Sequence, residues 1–192
     1  MLLDNKTNLG ENEHFKVFDF LKANVSNGSM NIVTGYFTIY ALSEFCDKLN
    51  NSKEFKLLLG DLVTRDDKKN KVIDLLRDNL DIDKILELNQ KGKRAIDFLE
   101  QEKVQIKHIS ENFCHAKAFV YDDSDRRHKF YIIGSSNLTE AGLGIRESSN
   151  IELNTAISGG ESDYKDVLEW FNYLWKNIAS SEVKLPDKTK FK

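Results

Sequence analysis

The stretch that decides the fold is Cys114-His115-Ala116-Lys117-Ala118-Phe119-Val120-Tyr121-Asp122, followed past a polar loop by Phe130-Tyr131-Ile132-Ile133-Gly134-Ser135-Ser136-Asn137. Its two apolar runs, Lys117 to Tyr121 and Phe130 to Ile133, read as the arms of a hairpin joined by Asp122-Asp123-Ser124-Asp125-Arg126-Arg127. Residues i and i+2 of a strand share a face, so this reading predicts His115 and Lys117 projecting together from the first arm. Cys114 is then expected on the opposite face as a small buried apolar residue. Gly134 permits a sharp turn where the second arm ends. Ser135 and Asn137 follow as neutral donors, a hydroxyl and a carboxamide, with backbone N–H groups nearby.

Together these groups are suited to a phosphate. Imidazole is substantially neutral near physiological pH and can act as nucleophile or acid–base group. A lysine beside it supplies fixed positive charge, and stabilising charge on phosphoryl oxygens is most of the catalysis in phosphoryl transfer. Glu152, on a strand predicted over Asn150 to Ala156, is a carboxylate placed to orient an imidazole; alone it would read as an exposed strand residue. The His-x-Lys pair is not specific by itself. His14-Phe15-Lys16 repeats it inside a predicted N-terminal helix, but Leu21 stands where an aspartate would be needed and no Gly-Ser-x-Asn turn follows. His14 is therefore expected at the surface, and His108 and His128 as structural or exposed residues.

Outward from the hairpin, the pattern predicts helices over Glu11 to Val25, Ile39 to Leu49, Lys71 to Leu80 and Ile82 to Leu99. Strands are predicted over Met30 to Phe37, Phe55 to Gly60 and Val104 to Ile109, with Gly35 marking either a simple bend or a close approach. A last helix, capped by Ser162, carries the apolar stripe Tyr164, Val167, Leu168, Phe171, Leu174 and Trp175. Alternating strands and helices predict an α/β protein with a mixed sheet flanked by helices on both faces. Residues 1–179 are expected to form one domain, with 180–192 as a polar tail or the start of a linker.

The chain of 192 residues has 28 basic and 31 acidic side chains, a net charge of −3, which argues against a protein coated for nucleic acid but leaves a local groove open. Basic clusters occur at Lys68, Lys69 and Lys71, at Lys91, Lys93 and Arg94, and at Arg126, Arg127 and Lys129; singly, each reads as a solvated surface. Two cysteines make neither a disulfide framework nor a zinc site, and no metal or cofactor is expected. The N-terminus has no basic stretch before an apolar one, so no signal peptide or membrane anchor is expected and the cytoplasm is the expected location.

His115, Lys117, Asp122, Gly134, Ser135 and Asn137 match every named position of the His-x-Lys-x4-Asp and Gly-Ser-x-Asn signature, and on these residues the chain resembles the phospholipase D superfamily. Asn150-Ile151-Glu152-Leu153-Asn154 resembles the glutamate-bearing strand of its nuclease branch. Thr34-Gly35-Tyr36-Phe37, Leu57-Leu58-Leu59-Gly60 and the helix from Trp170 to Trp175 resemble the phospholipase D-like domain at the N-terminus of bacterial helicases and in some restriction endonucleases. With one signature per chain, the resemblance implies a homodimer whose shared site lies on a twofold axis. It implies a metal-independent nuclease acting on DNA through a phosphohistidine on His115. Lys117, Ser135 and Asn137 would hold phosphate, Glu152 would orient the imidazole, and Asp122 and Gly134 would be structural. A helicase domain in the same polypeptide or operon is the implied partner. The alternatives are a non-catalytic nucleic-acid-targeting module and, ranked lowest, a phospholipase.

Overall fold

The computed structural model describes residues 1–6, 15–35, 37–60, 82–109 and 114–179, without the side chains of 82–89. The chain order is β1 (Leu2–Asp4), β2 (Phe15–Lys16), α1 (Val17–Asn24), β3 (Ser29–Thr34), α2 (Ile39–Leu49), β4 (Glu54–Leu59), α3 (Ile82–Leu99), β5 (Val104–His108), β6 (Lys117–Asp123), β7 (His128–Gly134), α4 (Glu140–Leu143), β8 (Leu153–Ser158) and α5 (Glu161–Tyr173), continued by a π-helical turn over Leu174–Ile178. The strands form one mixed sheet of eight, ordered β2-β1-β8-β7-β6-β3-β4-β5. β3, β4 and β5 run parallel, while β6, β7 and β8 are antiparallel neighbours.

Strand alternation sorts the core into two faces. Met30, Ile32, Phe55, Leu57, Phe119, Tyr121, Phe130 and Ile132 point to one side, against Val17 and Leu21 of α1, Leu42 and Phe45 of α2, and Ala95 and Phe98 of α3. Val33, Leu58 and Ala118 point to the other, against Phe171 of α5 and Trp175 of the π-turn. Val120 and Tyr131 meet Tyr164 on that same side. Helices therefore cover both faces, as predicted. Both faces being buried, the central strands read as continuous apolar runs rather than alternating ones.

Several boundaries differ from the sequence reading. The predicted helix from Glu11 begins only at Val17, because Phe15 and Lys16 pair in parallel with Leu3 and Asp4; residues 11–14 lie outside the described residues. The strand from Met30 stops at Thr34, before Phe37. Gly160, not Ser162, occupies the N-cap of α5, so Ser162 lies within the first turn. The predicted helix over Lys71 to Leu80, His14, the first basic cluster and the tail 180–192 also lie outside the described residues. β1 and α4 had no signal strong enough to predict; β1 is held between β2 and β8 by strand pairing and by the N-terminal amine on the Ala156 carbonyl at 2.8 Å.

Candidate active site

The site lies along one edge of the sheet, where β3, β4, β5 and β7 end and β6 and β8 begin. Carboxyl ends of parallel strands are where open α/β sheets present ligand-binding residues. Lys117 pairs with Gly134 and Gly134 with Asn154, so the two signature segments start side by side. A Cβ on Gly134 would lie 2.3 Å from Asn154 Oδ1 and 2.4 Å from the Leu153 carbonyl oxygen. Only glycine lets β8 approach that closely.

His115 is not on the strand, contrary to the prediction. β6 begins at Lys117, and residues 114–116 form an extended segment without strand pairing. The physical reason is a competing contact: the Cys114 N–H donates to the Gly60 carbonyl at 3.3 Å, drawing the segment toward β4. Gly60 allows it, since a Cβ there would lie 2.0 Å from the Cys114 carbonyl oxygen. His115 is left exposed while Lys117 is buried. The two are joined by a hydrogen bond from Lys117 Nζ to the His115 carbonyl at 2.7 Å, not by a shared strand face. Burial pushes the Lys117 ammonium below its ordinary pKa, while the carboxylate of Glu152 and the nearby Cys114 oppose that shift. Cys114 is half-buried and packs beside Ala118 and Trp175 in the smaller core cluster.

Because β6 starts at Lys117, the continuations of its neighbours β3 and β7 meet across the vacated slot. Phe37 bridges Leu138, and the Thr38 N–H donates to the Leu138 carbonyl at 3.0 Å. This closure brings Asn137 to the end of β3, where its Oδ1 accepts from Thr34 Oγ1 at 3.1 Å and from the Gly35 N–H at 3.0 Å. Ser135 Oγ accepts from the Leu153 N–H at 3.0 Å, which leaves the hydroxyl proton to point elsewhere.

The backbone N–H groups expected to bind a ligand are instead consumed internally. Ser135 N donates to the Leu153 carbonyl, Ser136 N to Asn154 Oδ1, and Leu138 N to Thr34 Oγ1. The turn therefore presents its side chains, with these three backbone N–H groups already engaged. Ser136, fully buried, donates from its hydroxyl to the Gly142 carbonyl and accepts from Asn154 Nδ2, pinning the turn to α4 and β8.

Glu152 lies one residue before β8 rather than within it, its N–H held by Asn5 Oδ1 at 3.1 Å. Standing where β8 begins, it belongs to the same edge, and its negative charge favours the protonated form of Lys117. Asp122 is at the other end of β6, about 17 Å along the strand from Lys117 at the usual rise per residue. There it accepts from Ser124 Oγ at 2.8 Å and from the Tyr164 hydroxyl at 3.3 Å, a scaffold role. His128 packs its ring against Tyr121 and Phe130. His108 ends β5, three strands from β6 and so about 14 Å across the sheet.

Sequence reasoning missed Thr34, Gly60, Asn154 and Asn5 as supports of the site. A signal existed for two of them: Thr34 and Asn154 stand in phase with the buried Ile32 and Ala156 of their strands, and polar residues so placed need partners. The basic clusters within the described residues are largely balanced by acids. Lys91 pairs with Glu44, Arg94 with Asp47, Arg126 with Asp123 and Lys129 with Glu161.

The mixed sheet of this α/β domain thus gathers an exposed imidazole, a buried ammonium, a hydroxyl and a carboxamide at one edge, groups of the kind that hold a phosphodiester. The sequence profile of the family described as "Cardiolipin synthase, PLD-like domain" matches residues 23–175, and the chain belongs to that family. Domains of this kind generally hydrolyse phosphodiester bonds and often act as dimers. No curated protein shows recognisable sequence similarity to this chain. No helix among the described residues is long and apolar enough to cross a membrane.

Proposed function

We propose that this protein is a phosphodiester hydrolase of the nuclease type, acting on DNA as a homodimer. The observation that carries the phosphodiesterase reading is the convergence of Lys117, Ser135 and Asn137 on the sheet edge beside the exposed His115. His115 Nε2 or Nδ1 attacks phosphorus, a nitrogen–phosphorus bond forms, and the bond to the leaving oxygen breaks. His115 of the partner subunit donates the proton to that oxygen, then takes one from the water that hydrolyses the phosphohistidine. Lys117 Nζ, the Ser135 hydroxyl and Asn137 Nδ2 hold the non-bridging oxygens, and Glu152 orients the imidazole.

The dimer is supported by the border of the site. Ile133, Ile151 and Leu153 are 45%, 66% and 62% exposed immediately beside Gly134, Ser135 and Glu152. Three large aliphatic side chains next to a site with a single nearby imidazole fit a surface that a second copy covers. The nucleic-acid reading rests on the single signature and on the likeness of Asn150–Asn154 to the nuclease branch; the charge-balanced basic clusters add little to it. Association with a helicase or restriction system, by the likeness of Thr34–Phe37 and Leu57–Gly60, belongs to the same reading.

The test is hydrolysis of labelled DNA, of bis-p-nitrophenyl phosphate and of phosphatidylcholine vesicles, each in excess EDTA. Cleavage of DNA and the reporter is expected, with His115→Ala reducing it at least about 10²-fold. Salt-dependent DNA binding without product would replace the enzyme by a targeting module. Headgroup release from vesicles alone would move the substrate to lipid, as the cardiolipin-synthase part of the family's description suggests.

A further inference from the structure

A carboxamide has a donor end and an acceptor end of nearly equal size, so its direction must be set by its neighbours. At Asn137 the setting is one-directional. The Leu138 N–H donates to Thr34 Oγ1 at 3.1 Å, and the Thr34 hydroxyl donates to Asn137 Oδ1 at 3.1 Å. The Gly35 N–H donates to the same oxygen at 3.0 Å. Two donors thus hold Oδ1, and a flipped amide would face them with its own donor end and lose both bonds. Gly35 leaves the room this needs, because a Cβ there would already stand 3.2 Å from Oδ1. Among the described residues Asn137 Nδ2 makes no hydrogen bond, although the side chain is half-buried. It is the one end of the amide left to meet a ligand.

We propose that Thr34, with the Gly35 N–H, is a positioning residue that locks the Asn137 carboxamide so that Nδ2 faces the phosphate. The device sits in the buried end of β3, far from the signature in sequence, and Thr34 itself is fully buried, so it acts through Asn137. It converts a two-faced amide into a dedicated anion donor before substrate arrives, so no reorientation is needed as charge develops on the phosphoryl oxygens. The inference rests on the phosphodiesterase reading of the site.

The experiment compares wild type, Thr34→Val, Thr34→Ser, Asn137→Ala and the Thr34→Val/Asn137→Ala double variant. The readouts are kcat and KM on bis-p-nitrophenyl phosphate, tungstate affinity and Tm. Valine keeps the shape but removes the relay, and is expected to lower kcat about ten-fold to a hundred-fold with KM little changed. Serine keeps the hydroxyl and should restore kcat to within about two-fold of wild type. In the double variant the Thr34 effect should vanish, since the amide it orients is gone. A loss of Tm with unchanged kcat, or losses that multiply in the double variant, would overturn the assignment while leaving the phosphodiesterase reading intact. A folded wild type that neither binds tungstate nor hydrolyses any phosphodiester would overturn that reading, and the Thr34 assignment with it.

Discussion

Replacing Asp122 by alanine separates scaffold from chemistry within the signature itself. The structure puts this carboxylate about 17 Å along β6 from Lys117. Its partners are Ser124, exposed, and the hydroxyl of Tyr164, a side chain only 5% exposed. The Ser124 bond is at the surface and contributes next to nothing. The Tyr164 bond to a charged acceptor falls in the class that contributes about 1.5–3 kcal/mol, and its length of 3.3 Å favours the low end. The expected loss is therefore about 1–2 kcal/mol, or a Tm lower by about 2–8 °C for a domain of this size. Urea unfolding followed by tryptophan fluorescence measures the first, and reporter hydrolysis well below Tm measures the second quantity, kcat, expected within about three-fold of wild type. The pH dependence adds a signature. Burial, then the Asp122 charge and hydrogen bond, hold the Tyr164 phenol above its ordinary value of 10.0. A raised folded-state pKa contributes stability that is present below the unfolded value and lost as pH rises past it, so wild type should weaken above pH 10. That weakening should shrink in Asp122→Ala. Unchanged stability with a hundred-fold loss of kcat would refute the scaffold role.

Two further perturbations probe the edge. Gly60→Ala drives a Cβ to 2.0 Å from the Cys114 carbonyl oxygen, a backbone atom one residue from His115, so the segment must shift. Displacement of a reacting group by about 1 Å costs about 10²-fold in rate, and single-turnover kinetics on a folded variant should show that loss; full activity would show that the Cys114–Gly60 contact does not set the imidazole. Lys117→Met should abolish phosphate binding yet raise stability at neutral pH, because it removes a buried ammonium whose proton burial already disfavours. A depressed folded-state pKa means that wild type gains stability as pH rises from that value toward 10.5, so the advantage of the variant should fade across the same range in parallel urea titrations. A constant advantage, or none, would place the Lys117 charge in solvent.

The layered architecture was legible because long apolar runs and helical stripes are properties of contiguous residues. α2 over Ile39–Leu49, α3 over Ile82–Leu99 and the β6–β7 hairpin emerge from pattern alone. The candidate site residues were singled out for a different reason: the spacing from Lys117 to Asp122 and the Gly134-to-Asn137 turn distinguish His115 from His14, whose His-x-Lys pair has the same spacing. What could not be read is which of these residues touch. Placing His115 on the strand was reasonable from alternation, and it fails because Gly60, more than fifty residues earlier, offers Cys114 a better partner than β3 or β7 does. Placing Glu152 on a strand fails similarly, because Asn5 takes its N–H just before pairing with β1 begins. Both errors are tertiary contacts overriding local periodicity at chain positions where strands end.

That these failures gather at one sheet edge is itself informative about the site. A strand interior satisfies its N–H and C=O groups by pairing, so alternation predicts it well. At the edge the pairing stops, and each backbone group must find a partner from elsewhere. Here those partners are side chains: Thr34 for Leu138 N, Asn154 for Ser136 N, Asn5 for Glu152 N and Ser135 for Leu153 N. Every one of these bonds spends an oxygen on the scaffold. In Ser135 and Asn137, where the oxygen is the spent end, the donor end is what remains for a ligand, and Lys117 adds a third donor held by the His115 carbonyl. Three donors, with the acceptor ends of Ser135 and Asn137 engaged, suit an anion, and the Glu152 carboxylate beside them is left to take a proton or orient a donor. The same hydrogen bonds that close the ends of β3, β7 and β8 thus leave donors at the edge, as the proposed phosphate site requires.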